Sequence, residues 1–161
     1  MPATGKSTVG VILAKMLGYD FLDADILIAL AQKRPLAQII FEEGYDNFIE
    51  IEGVIGKSIK CEKTVIATGG SMVFSEAAMK NLSENGITVW LDTPVAELEN
   101  RLIGSLADRG VATPVEMSFQ EIYDMREPLY RKYANLRIVC EGTTEKVATE
   151  LRERLLREKL I

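Results

Sequence analysis

The sequence predicts an α/β fold, a parallel sheet covered by helices on both faces, and three observations carry that prediction. Short apolar or β-branched runs alternate with stretches of helical spacing along the whole chain. The run ending at Leu22 delivers Asp23 and Asp25 to a strand's C-terminal end, where open α/β sheets bind ligands. Gly5-Lys6-Ser7-Thr8 stands at the start of the first helix, as a phosphate-binding turn does.

Taken in order, Val9, Leu13, Met16 and Leu17 recur at helical spacing, and Gly18 sits where a C-terminal cap belongs. Tyr19 to Leu22 is a short strand. A helix through Ile26 to Lys33 is broken at Pro35, a second runs from Leu36 to Glu43 and stops at Gly44, and a third covers about 48–60. Thr64 to Ala67 reads as a buried strand ending in the Gly69-Gly70 turn. Ser75 to Asn85 is helical, and Ile87 to Leu91 is the clearest strand of the chain. Thr93-Pro94 caps a helix from Val95 to about Leu106. Residues 107–117 carry Gly110 and Pro114 without a period and are predicted to be a loop. Ser118 to Glu121 forms a capping box that opens a helix to about Asn135, with Pro128 as a kink. Leu136 to Val139 is the last strand, and the final helix puts Val147, Leu151 and Leu155 on one face.

Composition narrows the function. With 161 residues, 47% of them hydrophobic and 27% charged, the chain fits one globular domain, 1–161, and not a disordered segment. A net charge of −5 argues against a general nucleic-acid binder. Cys61 and Cys140 form no CxxC pair and histidine is absent, so a zinc site, a Cys/His pair and a Ser-His-Asp triad all lack parts. The chemistry must come from carboxylates, Lys, Arg and hydroxyls. No apolar run approaches the roughly 18 residues of a membrane span, and a cytoplasmic, monomeric protein without membrane or nucleic-acid partners is expected.

Taken singly, the motifs have plainer readings: a turn opening a helix for Gly5 to Thr8, a helix cap for Asp23 and Asp25, an exposed helix face for Arg126. Their joint order is more specific. Gly5-Lys6-Ser7-Thr8, Phe21-Leu22-Asp23-Ala24-Asp25, Ile40-Phe41-Glu42-Glu43-Gly44, Ala67-Thr68-Gly69-Gly70, Val89-Trp90-Leu91-Asp92 and Arg126-Glu127-Pro128-Leu129-Tyr130 together resemble the shikimate kinase family of small P-loop kinases. The resemblance covers essentially the whole chain. It implies a three-layer fold around a five-stranded parallel sheet of order 2-3-1-4-5, a substrate-binding subregion at about 25–60 and a lid at about 107–118. It implies ATP and Mg²⁺ as cofactors and a small hydroxylated molecule as substrate. By that likeness Thr4, Gly5, Lys6, Ser7 and Thr8 hold the nucleotide with Arg101 and Arg109, and Ser7 and Asp23 serve the metal. Asp25 binds the acceptor hydroxyl and acts as base, Gly69, Gly70 and Arg126 bind the acceptor, and Lys6, Asp25 and Arg109 are the catalytic set.

The sequence also departs from the family pattern. Where Gly-Glu-x-x-Phe-Arg-x-x-Glu is usual, this chain has Gly44-Tyr45-Asp46-Asn47-Phe48-Ile49-Glu50-Ile51-Glu52, so Ile49 replaces the arginine that grips the shikimate carboxylate. A charged hydrogen bond contributes roughly 1.5–3 kcal/mol, and its loss weakens carboxylate binding by about tenfold to more than a hundredfold. Ser71 stands in place of a third glycine, and Arg109-Gly110-Val111-Ala112 replaces Arg-Pro-Leu-Leu. Shikimate is therefore the first acceptor to consider, with another hydroxy acid, sugar acid or amino-alcohol as alternatives, and a non-catalytic nucleotide-binding module as the reading from another class. The family's first loop glycine would fall one position before Met1, and its first strand before that. The 161 residues alone are accordingly expected to be less stable than a version carrying that strand.

Overall fold

The computed structural model describes residues 1–103 and 117–161. Gly5, at φ 88°, turns the chain into α1 (Lys6–Leu17), which buries Val9, Gly10, Leu13 and Ala14. Gly18, at φ 67°, ends it, as the glycine's freedom at positive φ predicts. Two parallel strand pairs follow. β1 (Asp20–Asp23) lies beside β2 (Thr64–Ala67), in register from Asp20 with Thr64 to Asp23 with Ala67. β3 (Val89–Asp92) lies beside β4 (Leu136–Val139), from Val89 with Leu136 to Asp92 with Val139.

Parallel neighbours need crossovers, and helices supply them. α2 (Ala24–Gln32) and α3 (Leu36–Ser58) connect β1 to β2. A 3₁₀ turn at Met72–Phe74 and α4 (Glu76–Asn85) lead to β3. α5 (Val95–Ile103) and α6 (Phe119–Tyr133) belong to the crossover into β4, and α7 (Thr144–Arg157) closes the described chain. Side-chain oxygens start several of these helices: Ser75 for α4, Thr143 for α7, and Ser118 with Glu121 as the predicted capping box of α6. Each such cap contributes about 1 kcal/mol.

β3 shows that helices cover both faces of the strands. Val89 and Leu91 pack into a core with Val9 and Leu13 of α1 and Leu151 and Leu155 of α7. Trp90, pointing the other way, meets Tyr130 of α6 at a ring separation of 6.2 Å and carries the guanidinium groups of Arg131 and Arg137 over its ring. On α7, Val147, Leu151 and Leu155 are buried together, as their spacing predicts.

The structure moves several predicted boundaries. α2 begins at Ala24, before the expected Ile26, because the Asp23 side chain accepts the Asp25 N–H and starts the helix there. The helix stop predicted at Gly44 forms: α3 is two helical stretches separated where Gly44 adopts the non-helical φ 83° and ψ 169°, and the second starts before the expected residue 48 and ends at Ser58. β1 and β3 are shifted toward their C-terminal ends, to Asp20–Asp23 and Val89–Asp92. α6 stops at Tyr133 rather than Asn135, since the Asn135 and Leu136 N–H groups go to the Thr88 carbonyl and begin the β3 side of the sheet. The 3₁₀ turn was not anticipated. The end of α5 and the loop predicted at 107–117 fall largely outside the described residues.

Both strand neighbourhoods implied by the family order form. Among the described residues β2 and β3, which that order does not make neighbours, do not pair, and a cavity of about 1010 Å³ is bordered by both of them. Val65 and Ile66 line it from one strand and Val89 to Leu91 from the other. Among the described residues no helix is long and apolar enough to cross a membrane.

Candidate active site

The loop before α1 is shaped by positive φ at Ala3 (57°) and Gly5 (88°), which curls residues 1–6 around the helix N-terminus. Thr4 Oγ1 and Lys6 Nζ both donate to the Met1 carbonyl, at 2.8 and 2.7 Å. The first N–H groups of a helix have no partner within it, and the first turn of α1 carries no acidic side chain to oppose an anion. Ser7 and Thr8 are exposed at this mouth. A polyphosphate is the ligand such a cradle suits.

The end of β1 carries the carboxylates. Asp23 Oδ1 accepts the Asp25 N–H at 3.0 Å, which fixes the first turn of α2 and places Asp25 in it. Burial raises the Asp25 carboxyl above its ordinary range, the Lys6 charge opposes the rise, and Asp23 adds to it. Burial likewise lowers the Lys6 ammonium, with Asp25, Glu52 and Asp23 supporting its charge and Arg126 opposing it. Lys6 is therefore the charge on which three carboxyls and a guanidinium converge.

The Gly69-Gly70 turn runs between those groups. A Cβ added to Gly69 would stand 1.7 Å from Glu52 Oε1 and 3.1 Å from Asp25 Oδ1, and one added to Gly70 would stand 2.8 Å from an Arg126 guanidinium nitrogen. Only hydrogen at these positions lets backbone pass between the acids and the arginine. Arg126, 1% exposed on α6, donates to the Tyr45 hydroxyl at 3.0 Å and lies over the Phe74 ring. One turn later Tyr130 donates to the Gly70 carbonyl at 2.8 Å and accepts from the Met1 amine at 2.9 Å. Burial pushes its phenol up to about 12, so it remains a neutral donor.

Thus Lys6, Asp25, Gly69, Gly70 and Arg126, far apart in sequence, lie around one turn. Asp23 acts on the Lys6 charge, while Ser7 and Thr8 lie exposed in the first turn of α1. Arg101 reaches the loop from α5, donating to the Ala3 carbonyl at 3.3 Å and pairing with Glu97. Arg109 and the predicted lid core lie outside the described residues. Glu52, Ser71, Tyr45 and Tyr130 are additions that sequence reasoning did not place in the site. Glu52 was detectable: it follows buried Phe48 by one helical turn, an acid on the buried stripe of α3. Tyr130 closes the Arg126–Tyr130 run that carries the resemblance, while Tyr45 gave no such signal.

Ser7 and Asp23 each offer side-chain oxygen, the ligand type that Mg²⁺ takes, though no cluster of three or more metal-ligating acid, histidine or cysteine side chains forms among the described residues. A helix-mouth anion cradle, a buried cation, a base candidate with a raised carboxyl and a buried arginine can together hold a polyphosphate and a small acceptor and stabilise charge moving between them.

A family model described as shikimate kinase matches residues 2–156. The shikimate kinase of Thermosynechococcus vestitus is 36% identical over 159 residues, covering 96% of this chain and 86% of that protein. The Clostridium botulinum shikimate kinase is 31% identical over 154 residues, 95% of this chain and 92% of that one. Among solved structures, the shikimate kinase from Acinetobacter baumannii in complex with shikimate superposes with a TM-score of 0.83 at 30% identity, covering 99% of this chain and 90% of that one. The Aquifex aeolicus shikimate kinase gives a TM-score of 0.83 at 27% identity, with coverages of 99% and 95%.

Proposed function

Because the chain belongs to the shikimate kinase family, we propose that it transfers the γ-phosphoryl group of ATP to a hydroxyl of shikimate, with residues 25–60 forming the acceptor side of a single kinase domain. The observation that carries this reading is the convergence of Lys6, Asp25 and Arg126 on the Gly69-Gly70 turn.

The residues divide the work. Backbone N–H groups of the loop and of the α1 mouth hold the phosphates, with Lys6 beside them and Arg101 behind. Ser7 and Asp23 would hold Mg²⁺, which when bound neutralises charge on the transferring phosphoryl group. Arg126, kept in place by Tyr45, pairs with the acceptor carboxylate. The acceptor oxygen forms the new bond to the γ-phosphorus, its proton passes to Asp25, and the bond to the bridging oxygen of ADP breaks. The raised Asp25 carboxyl brings its proton affinity nearer that role. Lys6, drawn to Asp25 and to the phosphates alike, balances charge as the proton moves.

A coupled ADP-release assay with Mg-ATP tests the proposal. Saturable turnover that depends on shikimate is expected. ADP release only with another hydroxylated acid would move the acceptor, as Ile49 invites, and tight ATP binding without acceptor-dependent release would make the chain a nucleotide-binding module.

A further inference from the structure

Two departures from the family pattern stand one helical turn apart on α3. Tyr45 occupies the position of the family's glutamate and Ile49 that of its arginine, so two opposite charges four residues apart give way to a phenol and an alkyl chain. Ile49 offers no hydrogen bond. Tyr45 does, and the fold ties it to the acceptor site: its hydroxyl accepts from Arg126 Nη2 at 3.0 Å, across 81 residues of chain.

That contact uses a lone pair and leaves the phenolic proton to be donated. Among the described residues nothing accepts it. Tyr45 is also the outer member of the pair, half-buried where Arg126 is 1% exposed. The other terminal nitrogen of Arg126, Nη1, faces the glycine turn, 2.8 Å from where a Gly70 Cβ would stand. A hydroxyl that accepts from a guanidinium is polarised by it and donates more strongly, which suits it to an anion. The anion brought to this guanidinium in the reaction is the acceptor carboxylate.

Resting on the kinase reading above, we infer that Tyr45 is a second ligand of that carboxylate: one carboxylate oxygen takes the Arg126 guanidinium and the other takes the Tyr45 O–H. The phenol thus supplies the hydrogen bond that Ile49 cannot. A glutamate at position 45, left without an arginine one turn on, would repel the same anion, so the two replacements belong together. One cation and a neutral donor hold a carboxylate less firmly than two cations, and affinity therefore depends on the single hydroxyl.

Calorimetry of the full chain with Mg-ADP, titrated with shikimate and with its uncharged methyl ester, reads this contact. In Tyr45→Phe, shikimate affinity should fall about tenfold or more and ester affinity far less, with Mg-ADP affinity and the melting temperature close to the parent's. In an Arg126→Lys background the loss caused by Tyr45→Phe should persist; its disappearance there would mean that Tyr45 acts only by holding Arg126, and would overturn the inference. Unchanged shikimate affinity in Tyr45→Phe overturns it too, and so does tighter binding, since the hydroxyl would then be competing with the acceptor for Arg126. Equal losses for acid and ester with a lower melting temperature assign Tyr45 to structure and overturn it as well. A parent that binds neither compound overturns both readings, whereas a parent that shows the expected preference for the acid yet releases no ADP from Mg-ATP overturns the kinase reading alone.

Discussion

Substitution of Gly69 by alanine tests the packing of the acceptor pocket most directly. The new methyl group would stand 1.7 Å from Glu52 Oε1 and 2.9 Å from its Cδ, where ordinary contact between heavy atoms begins at about 3.5 Å. Glu52 cannot yield toward solvent, because it is fully buried, and it cannot rotate without leaving Ser71. Losing the Ser71–Glu52 hydrogen bond costs about 1.5–3 kcal/mol, and overpacking a tight site costs about 1–3 kcal/mol, so Gly69→Ala should destabilise by roughly 2.5–6 kcal/mol. For a chain of this length that is a fall in melting temperature on the order of 5–25 °C. The crowded turn is the one that Asp25 and Arg126 flank, so the shikimate KM should rise at least tenfold while ATP affinity changes little. Gly86→Ala is the matched control: its Cβ would meet only the Leu82 carbonyl, at 3.5 Å, and its backbone is extended. A Gly69→Ala protein that melts and turns over like the Gly86→Ala control would refute the account of why glycine is needed there.

Four further outcomes are expected. Ile49→Arg should lower the shikimate KM by about ten- to a hundredfold by adding a charged hydrogen bond, which steady-state kinetics would read. Asp25→Asn should keep ATP affinity, measured by calorimetry, and abolish transfer; retained transfer would remove Asp25 from the role of base. Arg109→Ala should lower turnover far more than it lowers the melting temperature, and equal losses would assign it to structure. Glu52→Gln should alter the pH dependence of stability. Glu52 has a folded-state value of about 7 against an ordinary 4.5, so the folded protein keeps a proton that the unfolded chain releases. Its contribution is full below about 4.5, falls as pH rises to about 7 and stays lost above that. Melting curves of Glu52→Gln should lack this decline, and a parallel decline in both proteins would contradict the assignment.

Local rules carried much of the fold. Gly18, Ser118 with Glu121, and the apolar stripe of α7 behave as their spacing predicts, because each depends on residues within two turns of itself. Boundaries set by distant partners were less legible. Asn135 leaves α6 because Thr88, 47 residues earlier, supplies hydrogen-bond partners to it. The site shows the same division. Motif residues Lys6, Asp25, Gly69, Gly70 and Arg126 were readable from order along the chain. The contacts of Tyr45 and Tyr130 were not, since each acts by touching Arg126 or Gly70 across the fold, although Tyr130 closes a run that order along the chain had singled out.

Asp23 caps α2, and Asp25 occupies the first turn that this cap secures. On the proposed assignment, a positive charge drawn to Asp23 on the phosphate side would act on the same two-residue span that holds Asp25, the candidate base. That assignment couples the binding of the two substrates. Whatever factor the nucleotide complex applies to acceptor affinity, the acceptor must return to the nucleotide, because coupling between sites is reciprocal. Loosening the cap, as in Asp23→Ala, should weaken each substrate's sense of the other more than it weakens the binding of either one alone.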